Sequence, residues 1–486
     1  MSPLEIVHVA SECEPFAKTG GLADVVGALP PALARAGHKV SVVLPGYRGA
    51  LALAKDARPS GQPIDVPAPL GAYRLTPLSC ERDGVTVTFL RCDELFDRTG
   101  LYGTGGRDYT DNGLRFAAFS RAAATLVRLG VPRPHILHAH DWQAGIAVAL
   151  VATTHPRPQR PRTVFTIHNL AYQGNHDGRI FPLLGLPPET YSVAGVEYYG
   201  DVGFLKAGLV YADALTTVSP TYAREILTPE LGRGLDGVLR GRARGVRGIL
   251  NGIDAAAWDP ATDAALPARF SRDDLAPRRV VKAALLAELG LDPDVTRPLV
   301  ATVARMDVQK GFDLIVEAAP DLVARGALLA VLGTGDQGLE QRVGELAQRH
   351  PGRVAARFAF DPALAKRFYG GADIFLVPSR FEPCGLNQLY AMRYGAIPVV
   401  RRTGGLADTV EDADEHPATG TGFLFDRPNG PALLEAIDRA LAAFADPARR
   451  EAIQRRGMSL DHSWDGPARE YTKLYEELLA EASVGV

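Results

Sequence analysis

Cysteine is scarce: Cys13, Cys80, Cys92 and Cys384 are the four thiols in a chain of 486 residues. None of them stands at a paired metal-ligand spacing, and so few over such a length exclude a disulfide framework. Reduced thiols in a cytoplasmic setting fit best. No apolar run approaches the ~20 residues of a membrane-spanning helix. No basic region with a long apolar segment precedes the buried-strand pattern LEIVHVA, so neither a membrane partner nor a signal peptide is expected. A basic excess is missing as well. The 53 Lys and Arg against 56 Asp and Glu leave a formal net charge of −3, which argues against general nucleic-acid binding. What is present, 46% hydrophobic and 22% charged residues, is the composition of a globular chain, and its length predicts two α/β domains rather than one core.

The stretch from Pro378 to Glu411, PSRFEPCGLNQLYAMRYGAIPVVRRTGGLADTVE, organises the rest. Glu382 stands just ahead of Pro383 and a Cys384-Gly385 pair that open an amphipathic segment. A short apolar run and a second Gly-rich turn, Thr403-Gly404-Gly405, follow. Two helix N-termini with unpaired N–H groups suit anions. A carboxylate beside a phosphate repels it, so Glu382 points to a neutral group attached to the phosphate, such as the hydroxyls of a sugar. A simple interaction with the helix dipole accounts for Glu382 equally well. KTGGLADVV (Lys18 to Val26) and RTGGLADTV (Arg402 to Val410) share TGGLAD behind a cation. The repeat predicts two similar halves, each presenting a turn to one cleft, with a sugar phosphate or sugar nucleotide as ligand.

Taken in order, Leu4 to Ala10 predicts a central strand, Leu22 to about Ala36 a helix, and His38 to Leu44 the next strand. Leu51 to Leu70 reads as irregular surface and Val85 to Leu90 as a strand. In the Gly- and Tyr-rich loop Leu101 to Phe116, Tyr102, Tyr109, Asp111 and Asn112 are available to a carbohydrate, although turn chemistry explains Asp-Asn-Gly as well. Apolar strands end in His140-Asp141-Trp142 and in His168-Asn169, the place where α/β sheets bind ligands. Leu231 to Gly248 reads as a mobile basic loop. A strand ending at Ala304 is followed by Arg305 and Lys310 in the turn before a helix near Gly311, a position suited to an anion. Further strands within 328–336, 353–360 and 372–379 alternate with helices, predicting a parallel sheet wound on both faces. Asp292-Pro-Asp294 and Asp412-Ala-Asp414 match a metal-binding Asp-x-Asp string but read as solvated surface. The domains are expected at 1–250 and 251–463, with 464–486 as an amphipathic helix packing back on the first.

KTGGLADVVGALP, HAHDWQAG, TIHNLAYQG, GILNGID, ARMDVQKG, SRFEPCGLNQLYAMRYG and TGGLADTV, in this order across nearly the whole chain, resemble the bacterial glycogen synthase and plant starch synthase family. The resemblance implies an α/β chain of two facing, doubly wound Rossmann-like domains, the GT-B fold, with a deep interdomain cleft. It implies a retaining transferase that moves glucose from ADP-glucose to the non-reducing end of an α-1,4-glucan (glycogen or a maltooligosaccharide) in the cytoplasm, with no metal and no cofactor. Carried onto matching positions, it assigns Lys18, Arg305 and Lys310 to the donor phosphates, and Glu382 with Cys384, Gly385 and Leu386 to the glucose and distal phosphate. His168, Asn169, Asp141 and Tyr102 fall to the sugar and acceptor cleft, and Gly20, Gly21, Asp24, Thr403, Gly404 and Gly405 to substrate contacts. Glu382, Lys310, Arg305 and His168 are the catalytic candidates. Related retaining transferases carry a second Glu eight positions after the first, where this chain has Tyr390. No close carboxylate pair offers a nucleophile, which predicts same-face attack by the glucan hydroxyl. The competing readings are a transferase with a small acceptor, of the sucrose or trehalose-phosphate synthase kind, a phosphorylase dependent on pyridoxal phosphate, and a non-catalytic glycan-binding protein.

Overall fold

A computed structural model describes residues 3–130, 134–155 and 160–484. The chain forms two compact units, one made of the residues up to Gly252 together with those from Trp464 onward, the other of Ile253–Ser463.

In the first unit, among the described residues, ten strands form the main sheet. Their order is Val246–Gly248, Ala214–Thr217, Arg162–Ile167, Ile136–His140, Glu5–Val9, Lys39–Pro45, Val85–Arg91, Ala72–Arg82 and Arg58–Pro59, with Ile64–Pro67 also on Ala72–Arg82. The first seven are parallel neighbours. Glu5–Val9 lies centrally and is almost wholly buried, as a strand covered on both faces must be. The strand order reverses beside it, between Glu5–Val9 and Ile136–His140, and ligands of doubly wound sheets bind at such a reversal.

Two stretches depart from the sequence reading. Leu51 to Leu70 contains the end of the helix Arg48–Leu53 and the strands Arg58–Pro59 and Ile64–Pro67. Its prolines sit on a sheet edge, where a missing N–H is tolerated, and Ile64 and Val66 alternate inward. Leu231 to Gly248 is not a free basic loop. It holds the helix Asp236–Arg240 and the strand Val246–Gly248, and Arg242 donates to the carbonyls of Val210 and Ala212.

The second unit has six parallel strands in the order Val354–Arg357, Leu328–Leu332, Leu299–Val303, Ile374–Val377, Ile397–Arg401 and Phe423–Phe425. Along Leu328–Leu332, Leu328, Ala330 and Leu332 enter one apolar cluster while Leu329 and Val331 enter another. A period of two thus fills two cores, which is why these strands read as unbroken hydrophobic runs. The order reverses between Leu299–Val303 and Ile374–Val377.

The TGGLAD repeat does not mark equivalent places. Its first copy follows Glu5–Val9, the central strand of its unit. Its second follows Ile397–Arg401, fifth in the second unit. The topological counterpart of the Lys18 turn is the Arg305–Lys310 turn after Leu299–Val303.

The helix Asp465–Val484 belongs to the first unit's core. Ala468, Tyr471, Leu474, Tyr475 and Leu478 recur every three or four residues along one stripe and, with Trp464, join its apolar cluster. Thr472 Oγ1 meets His38 Nε2 at 3.1 Å, and Arg247 pairs with Glu477 at 2.7 Å. Among the described residues, no helix is long and apolar enough to cross a membrane.

Candidate functional site

In the second unit the chain leaves Leu299–Val303 and turns through Arg305 to Lys310. Asp307 builds that turn: one carboxylate oxygen pairs with Arg305 Nε at 2.6 Å, and the other accepts the Lys310 backbone N–H at 2.8 Å. Gly311 then takes φ +73°, and a Cβ there would stand 2.2 Å from the Pro378 carbonyl oxygen, so only glycine lets the two strand ends approach. The Arg380 N–H donates to the Gln309 carbonyl at 2.7 Å. Lys310 Nζ consequently lies 2.6 Å from Glu382 Oε2, and Ser379 Oγ donates to the same oxygen at 2.8 Å. Glu382 is 5% exposed, whereas the Arg305 side chain is half-exposed. The carboxylate that looked misplaced beside an anion site is thus balanced by an ammonium from the neighbouring strand end.

Gly404 and Gly405 serve that same loop. A Cβ on Gly404 would fall 1.9 Å from the Glu382 carbonyl oxygen, and the Gly405 N–H donates to the carbonyls of Glu382 and Pro383 at 3.2 Å each. The helices after the two segments are short, Asn387–Arg393 and Gly404–Thr409. The Gly405 N–H at this second turn is therefore taken by carbonyls of the chain itself. Cys384 is buried and Gly385 is left-handed at φ +74°. Gln388, which the sequence reading passed over, donates to the Cys384 and Gly385 carbonyls and to Thr409 Oγ1. Tyr390 stands where related transferases carry the second Glu. It is buried and stacks on Trp258 with ring centroids 3.7 Å apart.

The first unit repeats the lesson. Glu12, 4% exposed and also unanticipated, accepts the Thr19 N–H at 2.6 Å, the Thr19 hydroxyl at 2.6 Å, the Gly20 N–H at 3.1 Å and the Tyr102 hydroxyl at 2.7 Å. The Gly20 turn is therefore wrapped on an internal carboxylate, and Tyr102 Oη, also 2.7 Å from Ser11 Oγ, is spent on the same support. Lys18 Nζ pairs with Asp24 at 2.7 Å and Glu14 at 3.1 Å. The signal was present in the sequence as one of two glutamates, Glu12 and Glu14, between a strand end and a Gly pair, but no spacing rule tied it to Thr19.

At the reversal of strand order, Asp141 adopts φ +54°, a left-handed conformation that is costly for a residue with a Cβ. Its carboxylate accepts the His168 N–H at 2.7 Å and so staples the ends of adjacent strands. Burial pushes its pKa up to about 7. His168 is 9% exposed, and burial lowers its pKa to about 3, so the imidazole is neutral at physiological pH. Asn169 turns its side-chain oxygen to the Ala171 N–H at 3.0 Å. Three of the residues offered for carbohydrate also make contacts within the chain. Asp111 forks onto Arg98, Asn112 bonds the Tyr102 carbonyl and Arg115, and the Tyr109 ring lies under Arg98 and Arg115.

The Asp-x-Asp strings carry arginines. Asp292 and Asp294 face Arg297. Asp412, expected at the solvated surface, is 2% exposed, meets Arg439 at 3.0 Å and accepts the Leu424 N–H at 2.7 Å. Among the described residues, the ligand atoms of His8, His138 and His140 come within 4.8 Å of one another. Both His138 nitrogens are engaged by Tyr475 and Thr166, however, at 2.7 and 2.6 Å.

Two Rossmann-type units, one with a buried Glu and a Lys meeting at its strand reversal, define a glycosyltransferase of the GT-B class. Sucrose-phosphate synthase from Thermosynechococcus elongatus shares the fold at TM-score 0.62 and 20% identity over 98% of this chain and all of that one. The chain belongs to the glycogen and starch synthase family: residues 5–241 match the starch synthase catalytic domain and residues 290–457 the group 1 glycosyl transferases. It is 51% identical over 483 residues to the glycogen synthase of Anaeromyxobacter sp. (strain Fw109-5), covering 98% of this chain and 100% of that relative. The catalytic domain of starch synthase IV from Arabidopsis thaliana, bound to ADP and acarbose, matches at TM-score 0.91 and 33% identity over 99% of this chain and 100% of that one.

Proposed function

We propose that the chain transfers the glucosyl group of ADP-glucose to the non-reducing end of an α-1,4-glucan, glycogen or a maltooligosaccharide, in the cytoplasm, with retention of anomeric configuration and without a metal ion. The observation that carries this reading is the buried Glu382 held by Lys310 beside Arg305, in a family whose starch synthase relative binds ADP.

As the bond from the anomeric carbon to the diphosphate breaks, negative charge grows on the diphosphate and positive charge on the sugar ring. Arg305, Lys310 and Lys18 address the first charge, and their preorganisation is the main catalytic contribution. Glu382 takes the glucose hydroxyls, with Cys384, Gly385 and Leu386 shaping the pocket behind it and Thr403, Gly404 and Gly405 bracing that loop. Gly20, Gly21 and Asp24 hold Lys18 in place. His168 meets the sugar ring with its carbonyl or its neutral imidazole, and Asp141, Asn169 and Tyr102 order the surface around it. The glucan hydroxyl attacks from the face that the diphosphate leaves, and its proton passes to the departing phosphate oxygen.

The test is glucose transfer to glycogen from ADP-glucose and from UDP-glucose in excess chelator, with native protein, Glu382→Ala and Lys310→Ala. Extension from ADP-glucose that both substitutions abolish is the expected result. Full loss of activity in chelator, a preference for UDP-glucose, or extension only of a small sugar acceptor would overturn the reading.

A further inference from the structure

Three histidines of the first unit form a line that the mechanism above uses only at its end. His8 sits on the central strand, His140 closes the neighbouring strand Ile136–His140, and His168 follows the next strand, Arg162–Ile167. His8 Nδ1 lies 3.0 Å from His140 Nε2, and His140 Nδ1 lies 3.0 Å from His168 Nε2. His138 stands beside the line rather than in it. It stacks on His140 at 4.3 Å between centroids and spends its own nitrogens on Tyr475 and Thr166.

Each contact in the line requires one N–H and one lone pair, and a neutral imidazole owns one of each. Burial keeps all three rings neutral, lowering His8 and His168 to about 3 and His140 well below its ordinary value. The proton position on any ring therefore dictates the other two: all three carry it on Nδ1, or all three on Nε2. The inner end of the line discriminates between these. His8 Nε2 is buried and meets no hydrogen-bond partner among the described residues. Protons on Nε2 would bury an N–H without an acceptor there, whereas protons on Nδ1 leave only a bare lone pair. Orphaned buried N–H groups are the rarer of the two defects.

We propose that His8 and His140 are positioning residues that hold the proton of His168 on Nδ1, so that this imidazole presents a fixed N–H donor to the bound sugar. This rests on the placement of His168 at the sugar in the proposed function. A donor whose direction is fixed before substrate arrives needs no tautomer exchange during turnover, and the line supplies that constraint through two rings that touch no substrate.

Long-range proton–nitrogen NMR correlations on the full chain labelled with 15N-histidine read the tautomer directly. His168 is assigned by the loss of its signals in His168→Asn. The expected result is a protonated-type Nδ1 and an unprotonated-type Nε2 on His8, His140 and His168 alike, in contrast to free histidine, which favours Nε2–H. A protonated Nε2, or averaged shifts, on His168 would overturn the proposal. In His8→Leu the order is lost, so the His168 shifts move toward the average and kcat falls about tenfold with little change in KM for the glucan. His8→Asn, whose side-chain NH2 reaches the place of Nδ1, restores both. An unchanged His168 tautomer in His8→Leu would equally overturn the proposal, and if that variant does not fold the native spectrum decides alone. Full activity in His168→Ala would instead overturn the sugar role of His168, an outcome separable from the tautomer result.

Discussion

Lys310 Nζ and Glu382 Oε2 stand 2.6 Å apart, with the carboxylate side chain 7% exposed and the ammonium side chain 22% exposed. Each residue is the other's counter-charge, so neither can be removed without stranding its partner. Lys310→Ala leaves a buried carboxylate whose remaining side-chain partner among the described residues is Ser379 and should cost about 3 kcal/mol of stability, besides lowering kcat by about a hundredfold. Lys310→Met combined with Glu382→Gln should recover most of the stability and none of the activity. Urea unfolding of Lys310→Met, of Glu382→Gln and of the double gives the coupling directly. Strictly additive losses would mean that the pair does not act as a unit.

The carboxyl of Asp141, raised by burial from an ordinary 3.8 to about 7, works against stability in a defined pH window. Between about pH 4 and pH 7 the folded chain holds this proton while the unfolded chain has released it. Its contribution to stability therefore falls as pH rises through that range. Asp141→Asn removes the dependence, so the variant should gain on the native protein as pH moves from 5 to 8. Parallel denaturation midpoints at several pH values check this, and curves of identical slope would contradict it.

Glu12 gathers four donors on one carboxylate. A neutral amide in its place cannot accept them all. Glu12→Gln should destabilise the chain by about 1–2 kcal/mol and loosen the Lys18 turn, raising KM for the nucleotide donor more than it lowers kcat. Tyr102→Phe, which removes a single donor, should have a milder form of the same effect. A kcat loss at unchanged KM would place Glu12 elsewhere in the mechanism.

All four thiols are buried, and burial pushes Cys13 up to about 12. Thiolate is the reactive form. Iodoacetamide should therefore leave Cys13 unmodified in the folded chain and alkylate it only after denaturation, as peptide mass mapping will show. Rapid labelling of Cys13 under native conditions would contradict this burial.

Much of the fold was readable because parallel strands buried on both faces leave unbroken apolar runs, and because the residues after such runs are chemically conspicuous. Arg305, Lys310, Glu382, Asp141 and His168 were all visible by that route. What the sequence concealed was where backbone N–H groups are used. A Gly-Gly turn has the same letters whether its N–H groups face a ligand, a distant carboxylate such as Glu12, or the Glu382 carbonyl. The TGGLAD repeat likewise marks neither a shared position in the sheet nor a shared steric demand: a Cβ on Gly404 or Gly405 would strike the carbonyl of Glu382 or Cys384, whereas Gly20 and Gly21 have open space beside them. Asp412 looked solvated because its partner Arg439 lies 27 residues further on, beyond any local pattern. The edge strands were obscured by prolines that are harmless only because that side of the strand is unpaired.

The helix Asp465–Val484 gives the chain a temporal order. On the ribosome, the sheet of the first unit emerges early but must wait, because Tyr475, the partner of His138 Nδ1, and Thr472, the partner of His38, are translated after the whole of Ile253–Ser463. The second unit is one continuous segment and can fold as it appears. The two parts of the first unit thus flank the second in the chain, and a truncation before Trp464 takes Tyr475 and Thr472 from the first unit while leaving the segment Ile253–Ser463 whole.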